Sequence, residues 1–159
     1  MGAEWIARRM TAGLALSALS CMSLLIGARG TESSDGPPRK AIVHPLANAN
    51  FKTSGDPACL GTAVEVGNPE TGPSTILLQS TKGCLVRWHF HTAEEQLMGV
   101  KGELKVELTS MPATTLGPGG FTLIPSKEKH QFKCTRRSEC LVFLTIDRPF
   151  DSTWVTSAN

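Results

Sequence analysis

Apolar residues beyond the N-terminal segment occur in short runs, and turn residues separate these runs. Leu104, Val106 and Leu108 alternate with charged residues, which is typical of a strand with one buried and one solvated face. The region lacks the period of an amphipathic helix. The pattern predicts strands over residues 60–66, 74–79, 96–100, 103–108, 121–125, 130–135 and 141–146, with a further strand beginning near Cys84.

Turn chemistry connects the predicted strands. Lys101-Gly102 fits a tight turn between strands 96–100 and 103–108. The polar residues around 136–139 are expected to close a hairpin that joins the last two strands. Many short strands at this spacing indicate an all-β sandwich or barrel.

The first 30 residues have the pattern of an export signal. Arg8 and Arg9 precede an apolar run over residues 10–26, and a small-residue site at 28–30 follows. Uncleaved membrane anchoring is the alternative, although serines within the run make it a poor permanent anchor. Residues 31–40 are polar and carry two prolines, which predicts a disordered linker. Residues 41–159 are expected to form a single domain.

Charge and cysteine content fit an exported protein. The 159-residue chain carries a formal net charge of +2, and removal of residues 1–30 leaves 13 basic and 13 acidic residues. We therefore expect no nucleic-acid partner and no stable membrane insertion after signal cleavage. Four cysteines remain beyond the signal, an even number that suits an oxidising compartment. The expected location is secreted or periplasmic.

Two histidines one residue apart are candidate metal ligands. His89 and His91 share one face of a strand because successive side chains point to opposite faces. A short turn after them can bring in Glu95 as a third ligand, and His130 supplies a further imidazole. Three neutral imidazoles and one carboxylate suit Fe, Mn, Ni, Cu or Zn better than Ca or Mg.

These residues also resemble the first motif of the cupin family, G-x5-H-x-H-x3-E-x6-G. Its fixed positions are all filled, by Gly83, His89, His91, Glu95 and Gly102. The competing carboxylate, Glu94, does not keep the spacing on both sides.

The second family motif, G-x5-P-x-G-x2-H-x3-N, is matched in part. Gly119, Pro125 and His130 occupy three of its positions. Lys127 replaces the motif's third fixed residue, a glycine, and Cys134 replaces its asparagine. The whole resemblance covers about residues 60–147.

The resemblance implies a double-stranded β-helix, the conical jelly-roll barrel of the cupins. It also implies a divalent transition metal held by His89, His91, Glu95 and His130, and a cupin that has lost its metal is the alternative. Four protein ligands leave one or two positions on an octahedral ion for water, dioxygen or a chelating substrate.

Two further residues are candidate substrate contacts. Arg87 shares the ligand face if its strand is unbroken, and its guanidinium would then hold a substrate carboxylate. Alternatively, the strand bends there and Arg87 lies on the rim in solvent. Phe132 has the same parity as His130 and is expected to line the cavity, together with Leu85. His44, which precedes a proline, is expected at the surface.

Cys134 and Cys140 flank the predicted hairpin turn. Opposed residues of an antiparallel pair lie close enough for a disulfide, which we expect here. Cys59 and Cys84 would then pair with each other or remain buried and unpaired. The alternative makes Cys134 a metal or redox residue, because it lies on the His130 face.

The functional hypothesis is an exported, metal-binding cupin that acts on a small organic molecule, as a dioxygenase-like oxidoreductase or an isomerase. The alternative is a non-catalytic cupin that binds or senses a small molecule. No Ser/His/Asp arrangement, phosphate loop or dinucleotide fingerprint points to other chemistry. A homodimer is a further candidate assembly, and Trp154-Val155 is expected to pack on the barrel or on a second subunit.

Overall fold

The computed structural model describes residues 40–53 and 55–158. The predicted export signal, and the predicted linker up to residue 39, lie outside this range. The described part contains one short 3-10 helix, Leu46–Asn48, and eleven strands. The strands are β1 Lys52–Thr53, β2 Leu60–Gly67, β3 Ser74–Ser80, β4 Leu85–Phe90, β5 Glu95–Lys101, β6 Leu104–Leu108, β7 Met111–Leu116, β8 Phe121–Ile124, β9 His130–Cys134, β10 Cys140–Ile146 and β11 Thr153–Trp154.

The strands form two sheets in which neighbouring strands are antiparallel. The six-stranded sheet has the order β1-β2-β3-β10-β5-β8, and the five-stranded sheet has the order β11-β4-β9-β6-β7. Strands that follow one another in the chain often lie in different sheets, as in a jelly roll. The prediction of an all-β fold is confirmed. Within the described residues, no helix has the length and apolarity needed to span a membrane.

The core lies between the two sheets and follows from the two-residue period of the strands. Leu104, Val106 and Leu108 of β6 are all buried, as their alternation predicts. Leu97 of β5 and Leu144 of β10 pack into the same core from the other sheet. Complete burial of a side chain of this size contributes roughly 1.5–3 kcal/mol, so the two faces hold the sheets together.

The predicted hairpin of the last two predicted strands is wrong, and the predicted tight turn at Lys101-Gly102 joins two different sheets. Strands β9 and β10 do not form a hairpin, because β9 pairs with β4 and β6 whereas β10 pairs with β3 and β5. Strands β5 and β6 also lie in different sheets. Both turns carry the chain from one sheet to the other, which local residue patterns do not distinguish from a hairpin.

Strand β7 was not predicted from the sequence. It pairs with β6 at the edge of the five-stranded sheet, and its residues are exposed up to Thr115. An edge strand with little buried surface has no alternating apolar pattern to reveal it, and Pro112 within it is tolerated because an edge strand leaves some N–H groups unpaired.

The four cysteines among the described residues form two disulfides, and each disulfide joins the two sheets or the residues next to their strands. Cys59 bonds to Cys84, and Cys134 bonds to Cys140. The bridges lie at the same end of the barrel, because the N–H of Cys134 donates to the carbonyl of Cys84 at 2.9 Å. Cys134 is therefore paired with Cys140, as expected. The disulfide links two different sheets, whereas we had expected it to link the two strands of a hairpin.

Gly102 shows why a glycine is needed at the turn between β5 and β6. Its φ is +80°, a conformation that residues with a Cβ rarely adopt. A Cβ at this position would also lie 2.2 Å from the carbonyl oxygen of Glu139. The turn therefore requires glycine for both its backbone conformation and its packing.

Candidate metal centre

Three histidines meet inside the barrel at the end opposite the disulfides. His89 lies near the end of β4, His91 follows that strand, and His130 begins β9. Each contributes a ring nitrogen, and these nitrogens all lie within 4.8 Å of one another. All three side chains are buried, and His130 is fully inaccessible to solvent. The three histidines are therefore positioned to bind one metal ion.

Backbone carbonyls fix the orientation of the three rings. Nδ1 of His89 donates to the carbonyl of Arg87 at 2.6 Å, and Nδ1 of His130 donates to the carbonyl of Glu128 at 2.8 Å. Nδ1 of His91 donates to the carbonyl of Asp151. A carbonyl only accepts, so each Nδ1 carries the proton and each Nε2 keeps its lone pair. This is the tautomer in which Nε2 binds a metal.

Glu95 begins β5 and reaches the histidines from the six-stranded sheet. Its Oε1 lies 3.2 Å from Nε2 of His91, and its Oε2 lies 3.5 Å from Nε2 of His130. Neither Oε2 of Glu95 nor Nε2 of His130 has a hydrogen-bond partner within the described residues. The backbone N–H of Glu94, the competing carboxylate, donates to Oδ1 of Asp147 at 2.9 Å.

Burial shifts the pKa of each group toward its neutral form. Desolvation lowers the pKa of His89, lowers that of His91 to about 4 and lowers that of His130 to about 3. Desolvation raises the pKa of Glu95 to about 8. Without a cation, the carboxyl group is therefore protonated at neutral pH and the imidazoles are uncharged.

The donor set fits a transition metal. Three neutral Nε2 atoms converge with a carboxylate, and two of the buried atoms lack partners, which is costly for a buried polar group unless a further partner binds there. A divalent cation would satisfy both atoms and would favour the ionised form of Glu95. Nitrogen-rich sets of this kind suit transition metals better than Ca or Mg.

The structure places Arg87 at the rim. A register shift between Val86 and His89 gives β4 one extra residue relative to β9, so alternation is interrupted there. The guanidinium pairs with Asp56 at 2.6 Å and lies 5.2 Å from the ring centroid of Trp154. β4 is thus irregular at Arg87, as in the alternative in which the strand bends there. A role of Arg87 in substrate binding stays a prediction.

The same irregularity reverses the expectation for Leu85, which is 40% exposed and was wrongly expected on the cavity wall. Val86 takes that place. Phe132 is buried and its ring centroid lies 5.0 Å from that of His130, but it is not among the residues that line the cavity beside the histidines. Its contribution to substrate binding is still a prediction. His44 lies at the surface, with Nδ1 3.0 Å from Glu65.

The C-terminal segment, residues 150–154, is the part of the site that the sequence did not reveal. Its strand β11 pairs with β4, so Trp154 lies opposite His89. The ring of Phe150 lies 4.3 Å from that of His91, and Asp151 supplies the carbonyl that orients His91. From the sequence we expected only that Trp154-Val155 packs on the barrel or on a second subunit. No sequence pattern linked Phe150 or Asp151 to a histidine about 60 residues away.

No family model and no curated protein sequence matches this chain. Solved structures do match it. KdgF from Halomonas sp. is 14% identical with a TM-score of 0.57, and the match covers 69% of this chain and 96% of that one. An RmlC-like cupin from Shewanella frigidimarina is 16% identical with a TM-score of 0.57, and the match covers 69% and 92% of the two chains.

The DMSP lyase DddQ from Ruegeria pomeroyi has a TM-score of 0.55 and is 18% identical, with 64% of this chain matched. This chain spans 57% of the length of that lyase. Likeness at such low identity establishes the fold alone. The chain has the cupin fold, in a single barrel, and three of its histidines are positioned to bind a metal ion.

Proposed function

We propose that this protein binds a divalent transition metal through His89, His91, Glu95 and His130 and uses it to transform a small organic molecule. The reaction class that we propose is oxidation of the dioxygenase kind or isomerisation. The observation that carries the proposal is the convergence of three uncharged imidazole nitrogens within 4.8 Å, with the buried carboxyl of Glu95 between two of them. Fe, Mn, Ni, Cu and Zn are the candidate ions.

A metal ion in this site would act as a Lewis acid toward an oxygen of the bound molecule. The chain's own residues prepare the site before any ion arrives. Backbone carbonyls hold each imidazole in the tautomer with a free Nε2, so little reorganisation is needed. Without metal, Glu95 is protonated at neutral pH, and it would lose this proton when a cation binds in the site.

We also propose that the protein is exported to an oxidising compartment. The two disulfides support this, because such bridges persist outside the reducing cytosol. Mass spectrometry of the unreduced protein, isolated from its host, tests the point. Four free thiols in the mature protein would contradict it.

Metal analysis of purified variants tests the metal site. We expect about one transition-metal ion per wild-type chain and at least about a tenfold loss of affinity in His89→Ala and His130→Ala, because each removes a ligand. His44→Ala is the matched control, since it removes a histidine at the surface. Unchanged metal content in both site variants would overturn the proposal.

Catalysis is tested separately with the loaded protein. Oxygen uptake and product formation are measured over a panel of small organic molecules, and the activity should require the metal and disappear in His89→Ala but not in His44→Ala. If the metal-loaded protein turns over no molecule of such a panel, the result contradicts the proposed enzymatic function but not the proposed metal site.

The second candidate is a binding or sensing protein, and the position of the C-terminal segment favours it. Phe150 and Trp154 pack directly against site histidines, so a bound molecule would press on a segment that also forms part of the surface. A saturable ligand that raises Tm without being consumed would support this candidate.

A further inference from the structure

A cavity of about 120 Å³ adjoins the metal centre. The site residues, an apolar wall and the C-terminal segment line most of it, and Asp56, Pro57 and Thr62 complete the lining. The apolar wall includes Leu60, Leu78 and Val86, and the C-terminal segment contributes Phe150, Ser152 and Trp154. Any molecule that reaches the metal centre through this cavity meets these side chains.

The size of the cavity restricts its ligand. Pockets for drug-sized ligands have volumes of roughly 300–1,000 Å³. An apolar cavity of about 150 Å³ is large enough for benzene. At about 120 Å³, the present cavity therefore suits a molecule of about the size of one small ring.

The charge of the cavity restricts its ligand as well. No lysine or arginine is among the described residues that line it. Arg87, at the rim, already pairs with Asp56 at 2.6 Å and stacks on Trp154. In the metal-free cavity, an anionic group would lose its hydration without gaining a cationic side chain, which is unfavourable.

Two aromatic rings of the C-terminal segment bound this space. The ring of Phe150 lies 4.3 Å from that of His91, and the ring of Trp154 lies 5.1 Å from that of His89. Both belong to a segment that is held by the two residues of β11, by the N–H of Phe150 on the carbonyl of Pro69, by that of Val155 on Trp88, and by Asp151, which accepts from His91 and Thr92. Their truncation should enlarge the cavity without removing a core side chain.

We propose that the cavity selects small, largely apolar molecules, that without the metal it disfavours anions, and that Phe150 and Trp154 set its upper size limit. This inference deepens the proposed function, because it names the substrate class of the same site. It concerns the chain's own side chains, so it is testable in metal-free protein.

Ligand titration followed by methyl NMR tests the size limit, in metal-free and in zinc-loaded protein. Cyclopentanone, a single small ring, should shift the methyl resonances of Leu60, Leu78 and Val86. The bicyclic 1-indanone should bind the wild type at least about tenfold more weakly. Phe150→Ala should reverse that preference, whereas Phe143→Ala should not. Phe143 is the matched control because it is 38% exposed, against 37% for Phe150, and lies outside the cavity.

The charge preference is tested in metal-free protein with 2-butanone and propionate, which are similar in shape and size. We expect the ketone to bind and the carboxylate to bind at least about tenfold more weakly. If Phe150→Ala does not fold, Trp154→Phe and Phe150→Leu provide milder changes of volume, and each should weaken the discrimination against 1-indanone.

Equal affinity of the wild type for cyclopentanone and 1-indanone, or for 2-butanone and propionate, would overturn the inference. So would an unchanged preference in all folded variants. These results are separable from the proposed function, because metal content is measured on the same samples. A protein that binds metal but does not discriminate refutes only the size and charge limits, and one that discriminates but binds no metal refutes only the metal site.

Discussion

At the residue scale, the orientation of the imidazoles depends on a local backbone arrangement. His89 and His130 each donate Nδ1–H to the carbonyl two residues earlier in the chain. Such a bond depends on the local backbone and needs no distant partner. His91 differs, because its acceptor is Asp151, 60 residues later. Two rings are therefore oriented by backbone adjacent to them in the chain, and the third is oriented by the C-terminal segment.

The protonated state of Glu95 leads to a stability prediction for the metal-free protein. Its pKa is about 8 in the folded state and 4.5 in the unfolded state, so only the folded state holds this proton between those pH values. The contribution of Glu95 to stability therefore falls by up to about 5 kcal/mol as pH rises from 4.5 to 8, whereas the three histidines, whose pKa values are lowered, contribute with the opposite sign below about pH 6.5. Glu95→Gln removes this penalty and should raise stability at pH 8, measured by urea unfolding.

The stabilisation should be absent near pH 4, where Glu95 is protonated in both states. Glu94→Gln is the matched control, since it changes the neighbouring, half-buried carboxyl and should have little effect at either pH. A Glu95→Gln variant that is less stable than the wild type at pH 8 would contradict the assignment of a buried, protonated carboxyl.

Lys127 allows a second prediction, because it has the φ of a glycine. It occupies the glycine position of the second cupin motif with a φ of +67°, and its N–H donates to the carbonyl of His91 at 2.7 Å. A side chain in this conformation costs roughly 1–2 kcal/mol. Lys127→Gly should stabilise the protein by about 0.5–1 kcal/mol after the greater chain entropy of glycine is included.

Lys127→Ala, which retains a Cβ, should give no comparable gain. Lys133→Gly is the control for the loss of a lysine side chain, and it should destabilise because Lys133 lies within the strand β9. Thermal unfolding of the three variants decides. Equal stability of Lys127→Gly and Lys127→Ala would show that the positive φ carries no strain.

At the scale of elements, the sheets are joined by packing and by two covalent links. Cys134 and Cys140 lie at the ends of strands in the two different sheets, and Cys59 and Cys84 each directly precede a strand of one of the two sheets. Both bridges lie at one end of the barrel and the histidines at the other. The extra residue in β4 acts on the site itself, because it changes which side chains of that strand face the cavity.

The two disulfides should contribute unequally to stability. The bridge between Cys59 and Cys84 closes a loop with a sequence separation of 25, whereas that between Cys134 and Cys140 spans 6. By loop entropy, the first should contribute about 3.5 kcal/mol and the second about 2 kcal/mol. The paired alanine variants should show this order in urea unfolding. Metal affinity measured on the same samples should change less than stability, because the bridges lie far from the site.

At the scale of the whole molecule, the barrel keeps a polar cluster inside an apolar core. Burial of a charged group costs more free energy than burial of its neutral form. Burial therefore lowers the pKa values of the imidazoles and raises that of Glu95, and the metal-free cluster is uncharged. Because a bound cation favours the ionised form of Glu95, metal binding to the buried site releases the proton of this carboxyl group. The fold therefore couples metal binding to pH.

This coupling predicts proton release on metal binding. At pH 7, Glu95 with a pKa of about 8 is protonated and the histidines are not, so uptake of one zinc ion should release about one proton from the protein. Affinity should therefore rise with pH up to about 8. It should fall more steeply only below about pH 4, where His91 also takes up a proton.

Calorimetric titration with zinc in buffers of different ionisation enthalpy measures the number of protons released. Glu95→Gln should release almost none at pH 7 and should bind zinc more weakly, whereas Glu94→Gln should behave as the wild type. A wild-type protein that binds zinc at pH 7 without releasing a proton would contradict a neutral Glu95 in the metal-free site.

The sequence alone determined most strand positions, the all-β class and the candidate ligands, because these depend on local alternation and on fixed spacings such as that from His89 to Glu95. It did not determine which strands pair, so the turn before β10 was taken for a hairpin and the edge strand β7 was missed. Nor did it show the extra residue in β4 that moves Arg87 to the rim. Only the tertiary structure brings Phe150, Asp151 and Trp154 onto the histidines. These contacts join residues that are distant in the chain, and the physical reason for them is the closure of the two sheets around one core, which no local pattern encodes.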